Sequence, residues 1–307
     1  MPAATCAEAT PAPARETFLP ARDYDLAATL ASGQAFRWGE RDGAWTGVVA
    51  GRWVWLRPRP GGIAAETAVP QKQWEWLKEY LQTEIDFDAV LRSFPDDEPM
   101  RAAVAACRGL RLLRQKPWEC LASFLMSSTK QIVQIRQIIG LLCERFGEEV
   151  TVPAGCVPAR AFPSAERIAS AGEVELRACK MGFRAPSLRA TARLVAEGGL
   201  DLEGLRARTV AEARVELLRC RGVGEKIANC VLLFAYGFPE AFPVDVWVRR
   251  ALRELYFPKR APSPARLEKF AATHFGPHAG YAQQYLFHYM RTRRVGETRR
   301  DAARSIR

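Results

Sequence analysis

The chain has 307 residues, 48% hydrophobic and 26% charged, which is ordinary for a soluble globular protein and too long for one small core. No apolar run approaches the roughly 18 residues of a bilayer span, and 45 Lys and Arg against 34 Asp and Glu leave a net charge of +11, a surplus that attracts polyanions such as nucleic acid. The eight cysteines include no Cys-x-x-Cys pair and there are only three histidines, so neither a disulfide framework nor a zinc site is expected.

Residues 1–18 are rich in Ala and Pro and lack an apolar segment. They read as a flexible leader, neither a secretory signal nor an anchor. Residues 19–97 read as an antiparallel sheet with a helix. The region from about Asp23 to Ala68 carries strand patterns, and Trp45 to Val49 and Arg52 to Arg57 flank the hairpin signal Ala50-Gly51. Trp53 and Trp55 would share one face of the second strand, with Val54 and Leu56 on the other. An amphipathic helix is expected near Lys72 to Leu81. Pro95-Asp96-Asp97-Glu98-Pro99 is a candidate boundary. Residues 98–307 read as almost entirely helical, with helices expected from Pro117, over Ile132 to Phe146, Ser187 to Ala196, Val210 to Leu218, Lys226 to Tyr236 and Val246 to Leu255, and over His278 to Arg293. The fold class is therefore α+β: an N-terminal sheet domain followed by a helical one. The arginine-rich stretch from Arg291 to Arg307 suits either a solvated tail or phosphate contact.

The stretch from Thr209 to Arg250 carries the chemistry. Thr209-x-x-Glu212 is a capping box that starts a helix. That helix ends near Cys220, and Gly222-Val223-Gly224 leads into a second one. Glycines at 222 and 224 would permit positive φ and close approach, leaving N–H groups to grip a phosphate. Taken alone, the same three residues also fit an ordinary helix turn. Lys226 falls in the first turn of the second helix, where the helix dipole and any burial favour a neutral, nucleophilic amine. Cys230 is four residues on, along the same face. Asp245 follows nineteen residues after Lys226, placed to cap a further helix. Singly, Lys226 could be a solvated lysine and Asp245 only a cap.

Together, Arg219-Cys220-Arg221-Gly222-Val223-Gly224-Glu225-Lys226-Ile227-Ala228-Asn229-Cys230 and Pro243-Val244-Asp245-Val246 resemble the helix–hairpin–helix and Gly/Pro-Asp signature of base-excision DNA glycosylases. Within that superfamily the chain is most similar to the 8-oxoguanine DNA glycosylases. The likeness extends from about Tyr24 to Tyr289 through Ser32-Gly33-Gln34-Ala35-Phe36-Arg37-Trp38, Leu112-Leu113-Arg114-Gln115, Cys120 to Phe124 with Ser127-Ser128, and Ala279-Gly280-Tyr281-Ala282-Gln283 with Leu286-Phe287. The resemblance implies that Lys226 attacks the deoxyribose C1′, expels the base and forms a Schiff base from which β-elimination nicks the strand. Asp245 would stabilise the cationic sugar. Gly33 would offer its carbonyl to N7–H of 8-oxoguanine, Gln283 would read the Watson–Crick edge, and Phe287 and Cys230 would flank the base, with Pro243 beside it. Phe287 alone also fits plain core.

Gly222, Val223, Gly224, Phe183, Arg184, Thr129, Gln134 and Trp247 are the expected DNA contacts. Several depart from the family. Thr129-Lys130-Gln131 stands where consecutive asparagines are usual, Gln134 where an arginine is expected, Phe183 at the wedge aromatic and Trp247 at a histidine. The resemblance implies double-stranded DNA with oxidised guanine as partner, no cofactor, no membrane and a monomer. The compartment would be the cytoplasm and nucleoid in a bacterium or the nucleus in a eukaryote. Two other readings remain: a non-enzymatic hairpin module that only clamps phosphate, and a monofunctional alkyl-base glycosylase, which would lack a lysine at 226. An iron–sulfur glycosylase needs four clustered C-terminal cysteines, and none follows Cys230.

Overall fold

The computed structural model describes residues 13–128, 130–259 and 262–304, without side chains at 264, 268 and 294–304. Five strands, β1 (Ala14–Pro20), β2 (Gly39–Arg41), β3 (Ala44–Val49), β4 (Arg52–Arg59) and β5 (Gly62–Gln71), form one antiparallel sheet in the order β1-β5-β4-β3-β2. Strand β1 pairs with β5 from Ala14 onward, so a leader running to residue 18 is too long. Residues 1–12 lie outside the described ones. The expected β3–β4 hairpin is present. Ala50 and Gly51 have φ of 48° and 75°, the positive pair that a two-residue turn needs to match strand twist. Val54 and Leu56 lie fully buried in the sheet's core with Leu19, Ile63 and Trp38. α1 (Leu26–Ala31) interrupts the expected strand region, capped by Asp25, whose Oδ1 accepts from Ala28 N at 2.8 Å.

The helices that follow are α2 (Glu75–Leu81), α3 (Phe87–Arg92), α4 (Glu98–Cys107), α5 (Pro117–Ser127), α6 (Ile132–Phe146), α7 (Ala165–Ser170), α8 (Glu173–Leu176), α9 (Ala185–Ala196), α10 (Val210–Leu218), α11 (Glu225–Val231), α12 (Val246–Ala251), α13 (Pro264–His274) and α14 (Ala279–Arg304). A two-stranded ribbon, β6 (Glu149–Val150) with β7 (Ala159–Arg160), lies between α6 and α7. Single π-helical turns extend α11 through Leu232–Tyr236 and α12 through Leu252–Tyr256. At the expected boundary, Asp97 caps α4 by accepting from Met100 N at 2.8 Å and also accepts from Tyr256 Oη and meets His274 Nε2. Phe87 and Val90 before it and Met100 after it share the helical core.

One segment knits the two layers together. Gln34 is fully buried and donates to the carbonyls of Thr29 and Arg111, while its Oε1 accepts from Leu113 N at 2.7 Å. Gln115 Nε2 in turn donates to Gln34 O at 2.7 Å. A buried amide with its hydrogen bonds satisfied fixes local backbone geometry, so this network sets the position of Gly33, one residue away. Among the described residues no helix is long and apolar enough to cross a membrane.

Candidate active site

The hairpin begins with the expected capping box: Thr209 N donates to Glu212 Oε2 at 2.9 Å and Glu212 N to Thr209 Oγ1 at 3.3 Å. Arg214 on α10 donates to Asn229 Oδ1 on α11 at 3.1 Å and ties the two helices together. Gly222 has φ +85°, and a Cβ there would press on Ser187 at 3.2 Å and Leu125 at 3.4 Å. Both conformation and space require glycine. Gly224 differs from expectation. Its φ of −108° and ψ of 179° are extended, and a Cβ would meet nothing within 4 Å. Its smallness matters only for what approaches from outside. Val223 also differs, because its side chain is buried and its N–H is bonded to Cys220 O at 3.0 Å. Neither group is free to touch DNA, and Val223 serves as the hairpin's apolar plug.

Lys226 is half-buried in the first turn of α11. Its Nζ donates to Ser127 Oγ at 3.1 Å and sits 5.5 Å from the centre of the Phe124 ring. Ser127 Oγ spends its own proton on Phe124 O at 2.7 Å, so a lone pair faces the amine. Asp245 caps α12 twice, with Oδ1 accepting from Trp247 N at 2.9 Å and Val248 N at 2.8 Å. Burial raises the pKa of its carboxyl above the usual aspartate value; the two backbone donors and the charge of Lys226 oppose this. Cys230 is buried, and its thiol is pushed up to about 11 by burial, with Lys226 and Asp245 acting on it in opposite directions. Lysine, carboxylate and thiol thus share one site.

Gly33, far away in sequence, closes on the same region. Its φ is +81°, and a Cβ would lie 2.7 Å from Ile132 Cδ1 and 3.5 Å from Phe287 Cε1. Phe287 is half-buried and packs against the helical core. Gln283, one turn earlier on α14, is 3% exposed, and its Oε1 has no partner. Such an acceptor is costly to leave unpaired unless a ligand enters. Pro243 is buried. Among the described residues no group of three or more His, Cys, Asp or Glu could hold a metal ion.

Comparison with known proteins places this arrangement in a family. Residues 17–121 match the 8-oxoguanine DNA glycosylase N-terminal domain, and residues 122–277 match the HhH-GPD superfamily of base excision DNA repair proteins. The chain is 32% identical over 305 residues to a probable N-glycosylase/DNA lyase of Methanothermobacter thermautotrophicus, covering 89% of this chain and 95% of that protein. It is 30% identical over 286 residues to the N-glycosylase/DNA lyase OGG1 of Arabidopsis thaliana, covering 86% and 77%. The Clostridium acetobutylicum 8-oxoguanine glycosylase/lyase, solved with double-stranded DNA containing cytosine opposite 8-oxoguanine, superposes with a TM-score of 0.84 at 27% identity, covering 91% and 98%. The chain belongs to the 8-oxoguanine DNA glycosylase family.

In this glycosylase the rim residues that depart from the family are placed unevenly. Phe183 stands 73% exposed, next to Gly182 with φ +58°. Its ring is presented to solvent and is not packed into the core. Arg184 is buried beneath it, its guanidinium 4.3 Å from the Phe183 ring centre and donating to Ser128 O. Gln134 does not pack either. It is exposed, and its Oε1 accepts from Gln131 N at 3.0 Å, capping α6. Trp247 is half-buried against the helical core. Thr129 lies outside the described residues.

Neither Ser127 nor Ile132 stands out in the sequence as a site residue. Ser127 stood in a quoted motif, but only the fold brings a residue 99 positions from Lys226 within hydrogen-bond reach of it. Ile132 opens α6 with ordinary helical periodicity, and nothing in that pattern shows which apolar residue touches Gly33.

Proposed function

We propose that this enzyme excises 8-oxoguanine from duplex DNA and nicks the strand, with Lys226 as nucleophile. The hydrogen bond from Lys226 Nζ to Ser127 Oγ carries the reading, because it holds the amine in place within electrostatic reach of the half-buried carboxylate of Asp245. The Lys226 Nζ–C1′ bond forms as the C1′–N9 bond breaks; the C1′–O4′ bond of the sugar ring then opens as O4′ takes up a proton, giving the protonated Schiff base, and loss of a C2′ proton expels the 3′ phosphate by β-elimination. Asp245 stabilises the positive sugar in a water-poor setting. The Gly33 carbonyl accepts from N7–H, Gln283 reads the Watson–Crick edge, and Phe287 and Cys230 enclose the base, with Pro243 behind. The backbone around Gly222 and Gly224 holds the phosphate chain without reading sequence. A single chain carries all of these groups, so the working unit is a monomer. Borohydride trapping on an 8-oxoguanine duplex tests this reading. A covalent adduct mapping to Lys226 is expected, and an adduct at another lysine, or none, overturns it.

The N7–H contact cannot supply all the selectivity. A lost hydrogen bond with its acceptor left buried costs about 1–3 kcal/mol, roughly ten- to 150-fold. Normal guanine must also be turned away before full insertion, at the cost of flipping.

The opposite base should matter little. Gln134 is engaged as a helix cap and lacks the fixed fork of arginine. Arg184 is turned inward to Ser128, and Phe183 wedges by area alone. Each missing base-directed pair forfeits about 1–3 kcal/mol of discrimination. Single-turnover excision from four duplexes differing only in the opposite base should therefore show a cytosine preference of no more than about tenfold to a hundredfold. A thousandfold preference would mean that other residues replace the missing contacts. The net charge of +11 predicts in addition that affinity falls by about 10³-fold or more between 50 and 200 mM salt if six or more phosphates are contacted. A flat salt response contradicts this.

A further inference from the structure

Two helices meet at Gly33, and each brings the same pair of residue types. On α6, Ile132 is followed one turn later by Arg136. On α14, Phe287 is followed one turn later by Arg291. Residues four apart share a helix face, and the apolar member of each pair closes on Gly33, at 2.7 and 3.5 Å from a Cβ built there. Arg291 Nη1 is 3.4 Å from that same point and donates to Ala31 O at 3.4 Å. Its guanidinium lies 5.9 Å from the centre of the Phe287 ring. Gln283, Phe287 and Arg291 thus form one stripe of α14, four residues apart.

Both arginines are half-buried, and among the described residues neither makes an ion pair. Arg136 Nε is buried without a partner, as is Gln283 Oε1. Burial first, and then the charge of Arg136, push the pKa of Arg291 down, while Asp245 opposes them. Two like charges held against an apolar wall are unfavourable unless something electron-rich comes between or beside them. Arg291 stands beside Gly33 and Phe287, and Arg136, one turn after Ile132, is close enough to act on its charge; this is the lining of the base pocket, not the exposed rim where Phe183 stands. That favours the base itself over a backbone phosphate as the electron-rich group.

We propose that Arg136 and Arg291 form a cationic wall of the lesion pocket that stabilises the negative charge developing on the departing purine. The proposal rests on the glycosylase reading above. As the Lys226 Nζ–C1′ bond forms, the electron pair of the C1′–N9 bond goes to the purine and spreads over its ring nitrogens and carbonyl oxygens, O8 included. The proton that the new secondary ammonium sheds balances the one that the purine anion takes up. The arginines pass no proton to the base and act by field alone, which is strongest in a site closed to water. They act on the leaving group and not on the nucleophile.

The test separates base release from the later lyase step, in which no base remains. Wild type, Arg291→Gln, Arg291→Lys and Arg136→Gln are compared in single-turnover excision from an 8-oxoguanine duplex, in nicking of a duplex with a preformed abasic site, and in affinity for a reduced abasic duplex. Arg291→Gln should slow excision by about 10- to 100-fold, and Arg136→Gln by less, since it lies farther from Gly33. Arg291→Lys, which keeps the charge, should recover most of the rate. Nicking of the abasic duplex and affinity for its reduced form should stay within about twofold, which also shows that the variants fold. Equal losses in excision, nicking and affinity would mean that the arginines hold the DNA backbone or the fold, and excision unchanged in Arg291→Gln would mean that they face nothing reactive; either overturns the proposal. Wild-type protein that nicks abasic DNA but releases no 8-oxoguanine would instead refute the parent reading.

Discussion

Replacing Lys226 by glutamine should abolish base release and borohydride cross-linking while leaving DNA binding nearly intact. The amide nitrogen of glutamine has its lone pair delocalised and cannot form a stable bond to C1′, so the covalent route closes altogether. A loss of at least about 10³-fold in single-turnover excision is expected for removal of a nucleophile, with a residue of activity from the electrostatics of the site. Folding should tolerate the change. Lys226 is half-buried and gives one side-chain hydrogen bond, to Ser127, and glutamine keeps a donor on a shorter stem. Affinity should hold because the phosphate grip proposed for the hairpin uses the backbone around Gly222 and Gly224, which the substitution does not touch. Excision within tenfold of wild type would remove the covalent mechanism.

The elements legible in the sequence were those whose signals are local. The box Thr209-x-x-Glu212, the turn Ala50-Gly51 and the boundaries of α6 and α10 each follow from a cap, a pair of positive φ values or a helical period, and the structure has them where expected. A leader reaching residue 18 is too long because Ala14 to Phe18 form a sheet-edge strand held by pairing with β5, a long-range partner that composition does not show. α1 lies unsignalled within the strand-like region because its six residues are too few for helical periodicity to stand out. Lys226 and Asp245 stand out as candidates from the company they keep along the chain, and the fold brings them to one region. Ser127, Ile132, Arg136 and Arg291 do not stand out, since their roles come from which faces of α5, α6 and α14 meet at the hairpin and at Gly33. Gly224 and Val223 show the converse. The motif named them, but one needs no left-handed backbone and the other has both its side chain and its amide engaged inside the protein.

Asp245→Asn should separate what the carboxylate does for the fold from what its charge does for the reaction. Asparagine is as good an N-cap as aspartate and can still accept from Trp247 N and Val248 N. Only the charge is lost. Burial, more than any other influence, has raised the pKa of this carboxyl in the folded protein. The folded state therefore binds the proton more tightly than the unfolded state. Stability is fully retained below the unfolded pKa and is partly given up as pH rises through the raised folded value. At neutral pH the ionised carboxylate works against folding, so the asparagine variant should melt at the same temperature as wild type or slightly above it. Below the carboxylate range the two should converge. Excision should go the other way. The carboxylate is the form that can face a cationic sugar, so wild-type excision should fall as pH drops through the raised pKa. The variant should be slower by about 10²- to 10³-fold at neutral pH and should lack that acidic limb. Thermal melts and single-turnover rates over the same pH series decide the matter. A variant that melts well below wild type at neutral pH, with its acidic limb unchanged, would show that Asp245 serves α12 and not the sugar.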